Sequence, residues 1–298
     1  MSLSVQLGLL LALATAFVSI LGFLYKHRGA VSAPPVEWRH PVRSTAALFR
    51  NRWWVIGILV AMGGWVFHVA ALALAPITLV QSVIAGGLVL LTVISERLFG
   101  LTVTRREWIG VALTAAGLAF LAATLGEAGS SEYGDYDTST LVLFVGGLAL
   151  ASVPLMLGAG RSRRHAGTLL AAAAGLQWGA SDVTIKAATG DLAELGLLVL
   201  LTPEAAAITA LSFLGLAVSA RSLQLGEAVG VIAVTSAAAN LSTIASGLVV
   251  FGEPLPDSDL GVALRLLAFA LVVLAAALTP GPVDLARRDR DAAAQAAA

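Results

Sequence analysis

The feature that most limits the fold is a succession of apolar runs, each about as long as a bilayer is thick. They fall at about 3–25, 53–75, 77–98, 106–125, 140–159, 166–187, 204–221, 228–251 and 260–280. A helix rises ~1.5 Å per residue, so roughly 20 residues cross the hydrocarbon layer. In lipid every backbone polar group needs a partner within the protein, which a helix supplies internally. The expected fold is all-α: a polytopic membrane helix bundle of about nine transmembrane helices. Only 12% of the 298 residues are charged, about half the share of a soluble domain. There is no cysteine, which excludes disulfides, thiolate metal sites and cysteine catalysis. The first run follows MSLSVQLG without a basic leader or cleavage site, so it reads as a retained span.

Charge orients the bundle, because Lys and Arg beside span ends favour the cytoplasm. Lys26, Arg28, Arg39, Arg43, Arg50, Arg52, Arg97, Arg105, Arg106, Arg161, Arg163, Arg164, Arg221, Arg287, Arg288 and Arg290 occupy alternate connections and the tail. The other connections are acidic, with Glu127, Glu132, Asp135, Asp137, Asp191, Glu194, Glu253, Asp257 and Asp259. Nine spans satisfy this pattern with the N-terminus outside and the C-terminus cytoplasmic. The expected location is the cytoplasmic membrane, and the Ala- and Arg-rich composition reads as bacterial. His40–Trp53 reads as a short surface helix, and Leu192–Leu201 as an interfacial or re-entrant piece. Ala75–Pro76 fits a tight turn.

The chain also resembles itself. Gly8–Lys26 and Gly167–Lys186 both run from Gly through a Leu/Ala stretch and polar residues to Lys. Ala73–Pro76 parallels Gln224–Glu227, Glu96 parallels Glu253, and the GVAL of Gly110–Leu113 returns at Gly261–Leu264, at offsets from 151 to 160. Ala- and Leu-rich spans resemble one another readily, but four ordered pairs do so less readily. The expected layout is a first four-helix repeat at 1–125, a linking helix at 126–165, a second repeat at 166–281 and a tail at 282–298. One intervening span turns the second copy over. Inverted bundles can expose a shared site to each side of a membrane in turn.

WWVIGILVAMGGWVFHVAALALAPITLVQSV at 53–83, Ser95–Glu96–Arg97, REWIGVALTAAGLAF at 106–120, LQLGEAVGVIAVT and GEPL resemble the drug/metabolite transporter superfamily. The ALAP-ITLVQS stretch and the span count most resemble its NIPA-type branch. The resemblance covers roughly residues 5–280. It implies a secondary transporter of a small solute working by alternating access, or, as in that branch, a magnesium carrier. A non-transporting scaffold or sensor is a third reading, which inverted symmetry does not favour.

Asp182 is the leading site candidate, because a carboxylate facing lipid costs several kcal/mol. Lys186 at i+4 and Arg265 in the last run are its expected charge partners. Two readings stand: a substrate or coupling site, or an ion pair that fixes packing. Gln81, Gln177, Trp178, Ser236, Asn240 and Thr243 are further candidates, with Ser236, Asn240 and Thr243 sharing one helical face. His68 is more simply a packed residue than a ligand. Gly175 and Gly179 form a GxxxG pair suited to close helix contact, and Glu96 reads as structural. No Walker-type loop or HExxH occurs, so neither ATP drive nor enzyme activity is expected. No cofactor is expected. The expected partners are the bilayer and a small-molecule or ion substrate, with no nucleic acid; a homodimer is an option.

Overall fold

The computed structural model describes residues 3–37, 41–87, 89–100, 103–123, 136–162, 164–190, 195–252, 258–264 and 266–268. Regular structure among them is helical. In order these are α1 (Leu3–Val31), α2 (Pro41–Leu48), α3 (Arg52–Leu74), α4 (Ile77–Gly86), α5 (Val89–Phe99), α6 (Arg105–Ala123), α7 (Thr138–Arg161) and α8 (Ala166–Gly190). A 3-10 turn at Gly196–Leu201 precedes α9 (Pro203–Leu225) and α10 (Ala228–Val249). Helical residues at 259–264 and 266–268 begin the last expected span. Arg265, most of the acidic loop residues and the tail lie outside the described residues.

Local signals set several helix starts. Asn51 accepts from the backbone N–H of Trp53 at 2.9 Å and of Trp54 at 3.4 Å, capping α3. Thr104 and Glu107 form a capping box on α6: Glu107 Oε2 accepts from Thr104 N at 2.8 Å, and Thr104 Oγ1 accepts from Glu107 N at 3.2 Å. Asp137 caps α7. Gly100 ends α5 at φ +63°, where a side chain would be strained. Ala75 is extended before Pro76, giving the tight turn.

Helices α1, α3, α7, α9 and α10 are long and apolar enough to cross a membrane. Their outward faces carry long apolar side chains, such as Val142, Leu143, Leu150, Val153 and Leu157 on α7. A run of that kind suits lipid and not water. The chain is thus a multi-pass, all-α membrane protein. The surface helix expected at His40–Trp53 forms as α2. In the piece expected at Leu192–Leu201, the described part is a 3-10 turn whose Leu197, Leu198, Leu200 and Leu201 point outward.

One expectation is corrected. The run at 77–98 is not one helix but two, α4 and α5, parted at Gly87. A Cβ at Gly87 would lie 2.5 Å from Ala16 Cβ and 3.0 Å from Ile84 O. Glycine lets α1 press against the break. Composition did not reveal it, because the residues on either side of the break, Val83–Ala85 and Leu88–Leu91, are apolar.

Close contacts give the helix directions. Gly29 lies on Trp54, Gly22 on Ala61 and Gly8 on Ala75, so α1 and α3 are antiparallel. Gly175 lies on Thr235 and Gly179 on Ser242, so α8 and α10 are parallel. Ser181 meets Ser212, while Ser222 Oγ donates to Gly167 O at 2.9 Å, so α8 and α9 are antiparallel. Helix α8 is the hub, buried along most of its length and packed by α3, α7, α9 and α10.

Candidate functional site

Asp182 leaves α8 on the side that faces α3 and α4. His68 Nε2, from α3, lies 3.0 Å from Asp182 Oδ1. Gln81 Nε2, from α4, donates to Asp182 Oδ2 at 3.2 Å. The imidazole donates to this carboxylate in the tautomer that carries its proton on Nε2. His68 and Gln81 are buried, and the Asp182 side chain is 18% exposed. Two consecutive helices, α3 and α4, thus converge on a carboxylate of the distant α8.

The backbone explains the placement. Gly175 and Gly179 let α10 lean on α8: a Cβ at Gly175 would lie 2.4 Å from Thr235 O, and one at Gly179 would lie 2.0 Å from Ser242 Oγ. With α10 seated there, the α8 face bearing Asp182 and Lys186 turns to α3. The Ala75–Pro76 turn brings α4 back beside α3, so Gln81 reaches the same carboxylate that His68 meets.

The expected Asp182–Lys186 pair does not form. Lys186 Nζ donates instead to Leu72 O at 2.9 Å and Ala75 O at 3.3 Å. The last turn of α3 leaves its carbonyls unbonded, and its dipole attracts a cation. The residue sequence reasoning ranked low, His68, takes the place given to Lys186. Lone histidines in apolar helices are usually packing residues, and nothing local to His68 marks Asp182 as its neighbour. Arg265, the other expected partner, lies outside the described residues.

The remaining candidates are dispersed. Gln177 Nε2 donates to Ser152 Oγ of α7 at 2.9 Å. Trp178 packs against Gly215 of α9. On α10, Asn240 Nδ2 donates to Ser236 O at 2.7 Å and Thr243 Oγ1 to Ala239 O at 2.9 Å, so both side chains bond back to their own helix. Among the described residues, the buried atoms His68 Nδ1, Gln177 Oε1, Trp178 Nε1 and Asn240 Oδ1 of the candidates meet no hydrogen-bond partner. Glu96 accepts from Trp108 Nε1 at 3.1 Å, joining α5 to α6.

The two ends of the bundle are tied by different side chains. At one end Lys186 joins α8 to α3. At the other, Gln224, just before the end of α9, accepts from Val36 N at 2.9 Å. Its Nε2 donates to Ala30 O at 3.2 Å, in the last turn of α1, and to Pro34 O at 3.0 Å, just after it.

No family model matches the chain, and no solved structure matches it. The chain is similar to the probable magnesium transporter NIPA9 of Arabidopsis thaliana, 26% identical over 284 residues, which is 90% of this chain and 80% of that one.

Proposed function

We propose that this chain is a carrier of divalent cations, magnesium first, that alternates access to a site at Asp182. The observation that carries the reading is the shared carboxylate: Asp182 of the second half is held by His68 and Gln81 of the first. The relative's name supports magnesium as the cargo. Magnesium keeps several waters and needs only one or two protein carboxylates, so a single acid with polar neighbours suffices. Lys186 Nζ donates to the carbonyl oxygens of Leu72 and Ala75, while His68 and Gln81 hold the acid.

Helix directions support the inverted layout of 1–125, 126–165 and 166–281. Helix α1 opposes α3, and α9 opposes α8. Asp182 and Lys186 of α8 meet His68 and Leu72 of α3 in rising order, so α3 and α8 run together. Hence α1 opposes its counterpart α8, and α3 opposes α9. Spans that alternate in direction along the expected nine produce these relations. Halves that oppose one another and share a site suit alternating access.

One observation favours the organic-solute reading. Among the described residues no three His, Cys, Asp or Glu side chains gather as a metal site. Expression in a magnesium-dependent bacterial strain separates the two. Growth restored at low magnesium, and lost with Asp182→Asn, supports the cation reading. A membrane-inserted chain that restores nothing counts against it.

A further inference from the structure

Where α1 ends and α3 starts, the two helices are pressed together at Gly29. A Cβ there would lie 2.4 Å from Trp54 N and 2.7 Å from Trp54 Cα. Asn51 caps α3, so Arg52 and Trp53 open its first turn beside the end of α1. The guanidinium carbon of Arg28 lies 4.0 Å from the centre of the Trp53 ring, and that of Arg52 lies 5.2 Å from it. Tyr25 stacks parallel to the same ring at 5.8 Å between centroids, and the Phe99 ring of α5 meets Tyr25 edge-on at 5.1 Å. Three aromatic rings from three helices thus fix the indole that both arginines share.

A ring holds a guanidinium through its face, which leaves the in-plane N–H donors for a phosphate or carboxylate. Neither guanidinium meets a carboxylate among the described residues, and both arginines are exposed. Two like charges held side by side repel, and an anion beside both relieves that repulsion. From Arg52, Ile56 and Leu59 follow at helical spacing, one and two turns further along α3. Ile56 is 37% and Leu59 66% exposed. This surface is cationic at the end of the helix and apolar along the turns that enter the membrane. A free phosphate would use only the arginines, and an uncharged lipid only the apolar turns.

We propose that Arg28 and Arg52, seated on Trp53, hold the phosphate of an anionic phospholipid whose acyl chain lies along Ile56 and Leu59. Basic residues beside a span draw anionic headgroups, each adding about five-fold in affinity. Trp53 stands about 22 Å along α3 from His68 at ~1.5 Å per residue, so the lipid site is separate from the one at Asp182.

The test uses the full-length chain in detergent, titrated with phosphatidylglycerol, phosphatidylcholine or inorganic phosphate. Bound lipid is counted by native mass spectrometry. Phosphatidylglycerol is expected to bind with retention that phosphatidylcholine lacks. Arg28→Gln should weaken it about five-fold, and Arg28→Gln with Arg52→Gln roughly thirty-fold. Trp53→Leu, which removes the ring and keeps both arginines, should weaken it as well. Arg161→Gln, which removes a positive charge at the end of α7, should not. The arginine variants change exposed side chains only, so they decide the matter if Trp53→Leu fails to fold. Retention unchanged in the double arginine variant, or in a folded Trp53→Leu protein, would overturn the proposal. So would a loss with Arg161→Gln as large as that with Arg28→Gln, or binding of inorganic phosphate alone as strong as that of the lipid.

Discussion

His68 of α3 and Asp182 of α8 meet at 3.0 Å, joining two residues that stand 114 positions apart in the chain. Gln81 binds the carboxylate's other oxygen. The carboxylate is therefore fixed from both sides by the half of the protein that does not contain it. Any motion between the halves must loosen these bonds or carry them along. The predictions below follow from this site and from the contacts that hold its helices.

Lys186→Met should destabilise the protein by about 1–3 kcal/mol, because the carbonyls of Leu72 and Ala75 lose a charged donor. Asp182 keeps His68 and Gln81 in that variant. Thermal unfolding in detergent should show the loss, while magnesium protection against unfolding persists. Loss of that protection together with stability would tie Lys186 to the site itself.

Gln224→Ala should loosen the end of the bundle where α9 meets the segment after α1. Three hydrogen bonds to Ala30, Pro34 and Val36 are removed, at about 0.5–1.5 kcal/mol each. The chain contains no cysteine, so a single one reports cleanly. A cysteine replacing the buried Ser219 should react with a water-soluble maleimide roughly tenfold faster or more in the Gln224→Ala background. Equal rates would show that Gln224 does not hold that end shut.

Helix packing gives a paired prediction. Gly175→Ala places a methyl 2.4 Å from Thr235 O, a backbone atom that cannot yield without moving α10. Overpacking of this kind costs about 1–3 kcal/mol. Gly146→Ala on α7 meets nothing within 4 Å and should be neutral or slightly stabilising. Melting temperatures of the two variants compare them directly.

Asp137 gives a pH prediction. Its carboxylate accepts from the hydroxyl of Ser139, then from the amide and hydroxyl of Thr140, and these bonds hold its pKa below the ordinary 3.8. A pKa depressed in the folded state contributes stability that is present above the unfolded value and lost as pH falls through the folded one. The first turn of α7 should therefore fray only below about pH 3.8. Hydrogen exchange at the Thr140 amide, corrected for its intrinsic rate, should rise there. Asp137→Ala should show that faster exchange at neutral pH.

Much of the architecture could be read from residue patterns. Apolar runs marked the helices, Pro76 marked a turn, and the His40–Trp53 segment formed its short helix. Asp182 stood out because an acid in an apolar run needs a partner. The partner itself was not legible. Spacing along α8 favours Lys186 at i+4, but a local pair competes with the unbonded carbonyls that end α3, and those belong to a distant segment. The break at Gly87 was hidden for a similar reason: its cause is the approach of Ala16, which belongs to another helix. Polar residues such as Asn240 and Thr243 read as a shared face, but hydroxyls and amides in helices readily bond back one turn, as both do.

The central claim is that Asp182 carries the cation. Purified protein in liposomes, with a magnesium-sensitive dye trapped inside, tests it most directly. The account predicts magnesium entry with the native chain, and entry at least about tenfold slower with Asp182→Asn, a loss of roughly 1.4 kcal/mol or more, at an unfolding temperature within a few degrees of native. Entry at the native rate through a folded Asp182→Asn protein would contradict it.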